Sequence, residues 1–441
     1  MLIVFYHFYR WTTATKFWFF RRILPAGWGI MIASVISSTM LMGSPLMPLY
    51  QMFALMFGLC TVALLWTWAR RARLEATREL PTHAAAGQAL RYTATVRNHG
   101  RTLRHWSLAE TAPDPRPGLP TFLFSREPGE ALRNRFDRIF AFNRWQWLLE
   151  KGLLFSGGLS TSTPALDAGA QARVTISLTP SKRGCIALDD MRVLLPDPFS
   201  FFQRARRVKT AADHLVVLPR RYRLPPFHLP GSANYHAGDD VASRQKGNSG
   251  EFTSLREYRT GDAPRMIHWK SWAKQGRPIV KEVEDVVFPR YALVLDTFAT
   301  GQEEAFEEAV SVAASFVAEI DTEEVMLDLM FLGDNEQVIA AGRGLADSMK
   351  LLEALSAVNV SPVENFEGLS RLIARHSGDL SACICVFTGW SESRAAFLRS
   401  LDALGLTSIS LAINTPGSVL PGRVHPLNAS RVQEDLMKWR G

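Results

Sequence analysis

The densest group of side chains able to do chemistry lies between Arg256 and Glu282, in the run REYRTGDAPRMIHWKSWAKQGRPIVKE. Within it His268 is a candidate general acid or base, Glu257 and Asp262 are carboxylates, and Arg265, Lys270 and Lys281 are cations. A hydrolase or transferase would use such groups, with His268 moving the proton. The chain lacks the patterns that make that chemistry specific. No second histidine follows His268 at the spacing of a zinc site, no Gly-x-x-x-x-Gly-Lys phosphate loop exists for ATP hydrolysis, and no Gly-x-Ser-x-Gly elbow presents a serine nucleophile. The same residues suit two other roles. Dense mixed charge beside Tyr258 and Trp269 fits a paired network that joins neighbouring parts of the fold, because charge is tolerated near apolar surface when it is paired. It also fits a face on which a partner docks. Arg256, Glu257, Tyr258, Gly261, Asp262, Arg265, His268, Trp269 and Lys270 form the candidate set for either role.

The elements that must position these residues can be read locally. Thr260-Gly261-Asp262 is a turn, and Asp262 is placed to cap a helix over Ala263–Ala273 by accepting the free backbone N–H groups of its first turn. Pro264 is tolerated that early in a helix. Met266, Trp269 and Ala273 then share one side, with Arg265, His268 and Trp272 on an adjacent face. Pro278–Lys281 reads as a strand. Downstream, strands at Tyr291–Asp296, Val325–Leu332, Leu380–Thr388 and Ser408–Ile413 alternate with helices. The helices are predicted at 302–320, 344–357, 365–376, 391–404 and 430–439. This alternation predicts a doubly wound α/β domain over 290–441, with ligand positions at the carboxyl ends of strands, near Asp296 and Thr388-Gly389.

Upstream, 74–225 reads as a β-sandwich of the immunoglobulin-like kind. Period-two strands fall at Ala89–Arg97 and Arg173–Leu178, with further strands near Ile186–Leu188, Met191–Leu195 and His214–Leu218. An insertion at about 113–163 contains a basic, aromatic helix over Ala131–Phe155, which either packs on the sandwich or lies on a bilayer. Residues 226–252, with Asp239-Asp240, read as a connector, so 226–289 holds connector and signature together.

The chain has 441 residues, 47% of them hydrophobic, with a net charge of +8. That is enough for several domains, and the composition excludes wholesale disorder. Residues 1–22 carry many aromatics with Arg10, Lys16, Arg21 and Arg22, the pattern of an interfacial helix. From Ile23 to Ala69 no residue is charged, which predicts two membrane spans near Gly27–Met42 and Tyr50–Trp68, joined by a turn at 43–48. Arg21 and Arg22 before the pair and Arg70, Arg71 and Arg73 after it place both ends in the cytoplasm, at a cytoplasmic (inner) membrane. Cys60, Cys185, Cys383 and Cys385 match neither a disulfide framework nor a zinc knuckle, which agrees with a reducing compartment. The scattered charge argues against nucleic acid.

Several spaced motifs together carry a family resemblance. They are Lys182-Arg183-Gly184, Pro196-Asp197-Pro198-Phe199, Val217-Leu218-Pro219-Arg220, the core Arg256-Glu257-Tyr258-Arg259-Thr260-Gly261-Asp262, and then Arg265, Ile267-His268-Trp269-Lys270 and Ala273. In these the chain resembles the bacterial DUF58 family of membrane-anchored proteins with a von Willebrand factor A-like domain. The resemblance implies a two-helix membrane hairpin, a β-domain, the signature and the A-like domain. It also implies partners: a MoxR-type AAA+ ATPase, and a transglutaminase-like membrane protein, besides membrane lipid. The expected role is a tethered interaction module in assembly, maturation or chaperoning of clients. In metal-binding A-type domains the first strand ends Asp-x-Ser-x-Ser. Here it ends Asp296-Thr297-Phe298-Ala299-Thr300, and the later strand end reads Thr388-Gly389-Trp390. Asp296 and Thr300 are a remnant too poor in oxygens for Mg²⁺, so no cofactor is expected.

Overall fold

A computed structural model describes residues 1–41, 47–227, 246–260, 262–284, 289–299, 303–320, 325–333, 336–340, 345–361, 363–413 and 420–439. The chain divides into two compact units, Met1–Arg220 and Arg221–Gly441.

The first unit opens with three helices: α1 (Leu2–Phe20), α2 (Pro25–Leu41) and α3 (Met47–Ala69). α2 and α3 pack along one another. Of the described helices only α3 holds a stretch, Tyr50–Ala69, long and apolar enough to cross a membrane. α2, at 17 residues, rises only about 26 Å, less than a hydrocarbon core of about 30 Å. Most of the expected turn at 43–48 lies outside the described residues. The strands β1 (Leu74–Glu79), β2 (His83–Ala85), β3 (Leu90–Asn98) and β4 (Ser107–Glu110) follow. After an insertion come β5 (Phe155–Ser160), β6 (Gln171–Pro180), β7 (Gly184–Leu188), β8 (Met191–Pro196), β9 (Gln203–Arg207) and β10 (Asp213–Leu218). Seven of them make a curled antiparallel sheet in the order β1-β3-β6-β5-β4-β8-β9, and β2-β10-β7 make a second. One core joins the two sheets: Tyr92, Val96, Leu108 and Val193 on one side meet Ile186, Leu215 and Val217 on the other. The alternation along β3, with Tyr92, Ala94 and Val96 inward, is what its sequence period dictates.

The insertion corrects the expectation of one helix over Ala131–Phe155. It forms α4 (Leu119–Phe124), a 3-10 turn at Glu130–Leu132, α5 (Arg135–Phe140) and α6 (Phe142–Gly152). Ala141, at φ 51°, breaks the run between the last two. Its aromatic face covers α1 rather than the sandwich: Tyr6 and Tyr9 pack with Phe122, Trp145 and Leu148. Tyr9 donates to the Phe140 carbonyl at 3.0 Å and Trp145 to Thr13 at 3.1 Å. The opposite stripe of α1, with Val4, Phe8, Trp11 and Trp18, is exposed.

The start of α2 is stitched to the β8–β9 turn. Asp197 is buried there, accepting the backbone N–H groups of Phe199, Phe201 and Phe202 at 2.7, 2.9 and 2.5 Å. The turn's Phe201 carbonyl receives Leu24 N–H at 2.9 Å, and Ile23 pairs with Phe202. Gly27 sits so close that a Cβ would lie 2.2 Å from that carbonyl oxygen. From the end of α3, Arg70 donates to the Pro196 carbonyl at 2.8 Å.

The second unit begins with a two-stranded pair, β11 (Lys246–Glu257) and β12 (Ile279–Glu284), which hold α7 (Trp269–Gln275) between them in sequence. β11 corrects the reading of 226–252 as connector, since its strand starts at Lys246. The rest of that connector, 228–245 with Asp239-Asp240, lies outside the described residues. There follow β13 (Arg290–Leu295), α8 (Glu303–Glu319), β14 (Met326–Leu332), β15 (Glu336–Ala340), α9 (Leu345–Ala357) and α10 (Phe366–His376). β16 (Ala382–Phe387), α11 (Glu392–Ala403), β17 (Thr407–Ile413), β18 (Val424–Leu427) and α12 (Val432–Lys438) complete the unit. The sheet runs β15-β14-β13-β16-β17-β18, parallel except for the antiparallel edge strand β15. β13 and β16 are buried along nearly their whole length, as central strands covered on both faces must be.

Candidate functional site

The signature begins at the end of β11 and is locked by one ion pair. Arg256 grips Asp262 through two hydrogen bonds of 2.7 Å, and Asp262 also accepts the Arg259 N–H at 2.8 Å. Asp262 therefore closes a turn and does not cap a helix. The predicted Ala263–Ala273 helix is split. Pro264–Met266 is a 3-10 turn, Ile267 then forms a bridge to Val280, and His268 N–H donates to the Ile279 carbonyl at 2.8 Å. Pairing to β12 pulls Ile267 into extended backbone and His268 out of helical geometry, so α7 starts only at Trp269. Gly261 lies outside the described residues.

Within α7, Trp269 stacks on Trp272 with ring centroids 5.2 Å apart and planes 17° from parallel. Trp269 is 65% exposed, and Tyr258, Arg265 and Lys270 are exposed as well. Glu257 pairs with Arg277 at the surface. The nine candidate residues therefore divide. Arg256 and Asp262 hold the turn, while Tyr258, Arg265, Trp269 and Lys270 are exposed aromatic and basic side chains. His268 is half-buried, its Nδ1 2.7 Å from Ser271 Oγ. That contact joins residues three apart in one helical turn. Among the described residues no carboxylate orients the other ring nitrogen, which a catalytic dyad would require.

The other candidate position lies at the carboxyl ends of β13 and β16, where the sheet order reverses and open α/β sheets form their crevice. Asp296 directly follows β13, with its side chain buried. Its Oδ1 accepts the Phe298 N–H at 2.9 Å, and its Oδ2 accepts both the N–H and the hydroxyl of Thr388, at 3.0 and 2.9 Å. The remaining partner is one that sequence reasoning missed. Arg394, in the first turn of α11, lays its Nε 2.8 Å from Oδ2 and bonds the Phe298 carbonyl, Thr388 Oγ1 and Ser391 Oγ at 3.1, 3.2 and 3.1 Å. The guanidinium also lies over the Phe366 ring. These residues do not fit a divalent cation: amide and hydroxyl donors and a fixed guanidinium occupy the Asp296 carboxylate, and Phe298 packs its ring against Phe366. Thr300 lies outside the described residues. No sequence signal joins Arg394 to Asp296 across 98 positions; the sheet brings them together.

Residues 254–377 match the model of a family described as Protein of unknown function DUF58. The chain carries the DUF58 segment. That DUF58 segment takes in the signature turn, α7, β12 and the sheet as far as α10, but not Thr388 or Arg394. No curated protein matches the sequence. Solved structures with some likeness include a CARDB domain from Pyrococcus furiosus, 12% identical, covering 33% of this chain and 94% of its own, with a TM-score of 0.17. A GH20 exo-β-N-acetylglucosaminidase from Vibrio harveyi is 10% identical over 76% of this chain and 60% of its own, at a TM-score of 0.16. Scores this low establish no shared fold.

Proposed function

We propose that this DUF58 chain is a membrane-anchored protein-interaction module whose docking face is the signature surface around Trp269. One observation carries the reading: an exposed Trp269, stacked on the half-buried Trp272, stands beside the exposed Arg265, Lys270 and Lys274, where a fold without a partner gains nothing from it. Exposed aromatics with basic neighbours are the composition of interface hot spots, and the charge suits an acidic partner surface. The partner we propose is a MoxR-type AAA+ ATPase, with a transglutaminase-like membrane protein as a further member of the assembly. The anchor is α3 with α2 beside it as a hairpin, both ends cytoplasmic, supported by the length of α3 and by Arg70, Arg71 and Arg73 after it. The C-terminal unit is a von Willebrand factor A-like domain without its metal. The reversed sheet order, the antiparallel edge strand and the Asp296–Arg394 pair support that assignment.

The test is capture of the ATPase by solubilised membranes carrying the full chain. Trp269→Ala should cut capture at least tenfold with an unchanged melting temperature, whereas Asp262→Ala should cut it by unlocking the turn. Undiminished capture by Trp269→Ala removes the proposed face. A hydrolase reading draws on the contact between His268 and Ser271, and turnover by purified chain that His268→Ala eliminates would favour it over docking.

A further inference from the structure

Where α1, α2 and α3 meet the β8–β9 edge, the first unit encloses an open cavity of about 1800 Å³ with two chemically distinct walls. One wall is apolar and belongs to the helices: Phe17, Trp18, Met31, Leu64, Leu65 and Trp68. Leu64, Leu65 and Trp68 are exposed on the same side of α3 that would meet acyl chains. The other wall is basic and comes from the α1–α2 junction and from β9: Arg21, Arg22, Arg204 and Arg206.

The charges on this second wall are only partly matched by the protein: Arg204 donates to the Trp68 carbonyl, and Arg21 feels the Asp190 and Asp114 charges. Three aspartates also line the cavity: Asp190 is engaged by Arg192 and Arg207, Asp114 by Arg116, and Asp189 is exposed and pairs with none of these four arginines among the described residues. Among the described residues, none of Arg21, Arg22, Arg204 and Arg206 is in an ion pair. Arg206 Nε is buried with no hydrogen-bond partner, an expensive state for a charged donor. Arg22 lies over the Trp18 ring at 4.2 Å, which holds its guanidinium at the mouth of the cavity. Burial and then the neighbouring Arg206, Arg71 and Arg22 hold the Arg204 guanidinium below its ordinary value.

We infer that this cavity holds one anionic phospholipid, its headgroup phosphate on Arg22, Arg204 and Arg206 and an acyl chain along Met31, Leu64 and Leu65. An arginine cluster above an apolar wall, continuous with a helix of membrane-spanning length, complements such a molecule at both ends. A soluble phosphate would satisfy only the basic wall. The inference rests on the membrane-anchored reading, and the two fail separately.

The test uses the full chain purified in detergent, with native mass spectrometry after addition of phosphatidylglycerol or phosphatidylcholine. Wild type should retain one phosphatidylglycerol and at least tenfold less phosphatidylcholine. Arg204→Gln with Arg206→Gln should lose that preference, while Arg204→Lys with Arg206→Lys keeps it and Arg173→Gln, on an exposed position of β6, leaves it unchanged. Retention of both lipids alike, a preference that survives the double glutamine variant in folded protein, or displacement of the lipid by millimolar glycerol phosphate would each overturn the inference. Should the double variant fail to fold, Arg22→Gln alone must still weaken retention severalfold. Extraction of the chain from membranes by alkaline carbonate would instead overturn the anchored reading itself.

Discussion

At the scale of single residues, the C-terminal crevice turns on Arg394. Its guanidinium and the Asp296 carboxylate are both withdrawn from solvent, with side-chain exposures of 9% and 0%. A pair in that setting adds little against an apolar replacement of both members, but removing one member strands the other charge. Arg394→Ala should therefore lower the unfolding free energy of the chain by about 3–5 kcal/mol. Asp296→Asn with Arg394→Met should recover much of that loss, and denaturant titration of the single and double variants measures both. Addition of Mg²⁺ should move none of these midpoints. Phe298 was readable in the sequence as the wrong residue for a metal cage. Arg394 was not, because nothing in its neighbourhood of chain points back to a strand end 98 positions earlier.

At the scale of elements, the insertion shows what pattern reading can and cannot deliver. Its basic aromatic character was plain from Trp145, Trp147, Arg138 and Arg144, yet one helix was expected where Ala141 turns the chain through a left-handed conformation. A single alanine carries no sign of that. The partner of its apolar face was equally hidden, because the covering element, α1, lies more than a hundred residues away. In contrast β3, β13 and β16 were legible from local period and composition, since burial on one or both faces selects those residues directly. The short edge strands β15 and β18 have too few residues to show a period. Within the insertion, Glu130 meets Arg144 of α6. Burial alone would raise the Glu130 carboxyl. The Arg144 hydrogen bond, the Glu127 N–H and the Arg144 charge outweigh that and hold it below the ordinary carboxylate range. Its folded value is thus lower than its unfolded one. The stabilisation is full above the ordinary range and is lost as pH falls through the lowered folded value. Glu130→Gln should lower the melting temperature most at pH 7 and converge on wild type in acid, flattening the acid side of a profile followed by tryptophan fluorescence.

At the scale of the molecule, four cysteines report on the whole fold. Burial pushes the Cys383 thiol up to about 12 and the Cys385 thiol well above its ordinary value, whereas Cys185 is exposed. A thiol reagent at pH 7.5 should modify Cys185 quickly in native protein. Cys383 and Cys385 should react only after denaturant opens the parallel sheet, which peptide mass mapping would follow. Labelling of either buried thiol in native protein at the rate of Cys185 would contradict the central placement of β16. The alternating positions of this pair on one strand were visible in the sequence, as was the division into β-rich and α/β regions. The signature's split helix was not, because the bridge between Ile267 and Val280 outweighs a local helical pattern.

The tight seat of Gly27 against the Phe201 carbonyl has a mechanical consequence. With the Asp197 turn gripping one end of α2 and Arg70 tying the end of α3 to the same turn, there is no slack between the helix pair and the sandwich. A pull or twist applied to the sandwich is therefore delivered to the helix pair as tilt. The joint acts as a lever rather than a tether, so work done on the sandwich is felt by the helices.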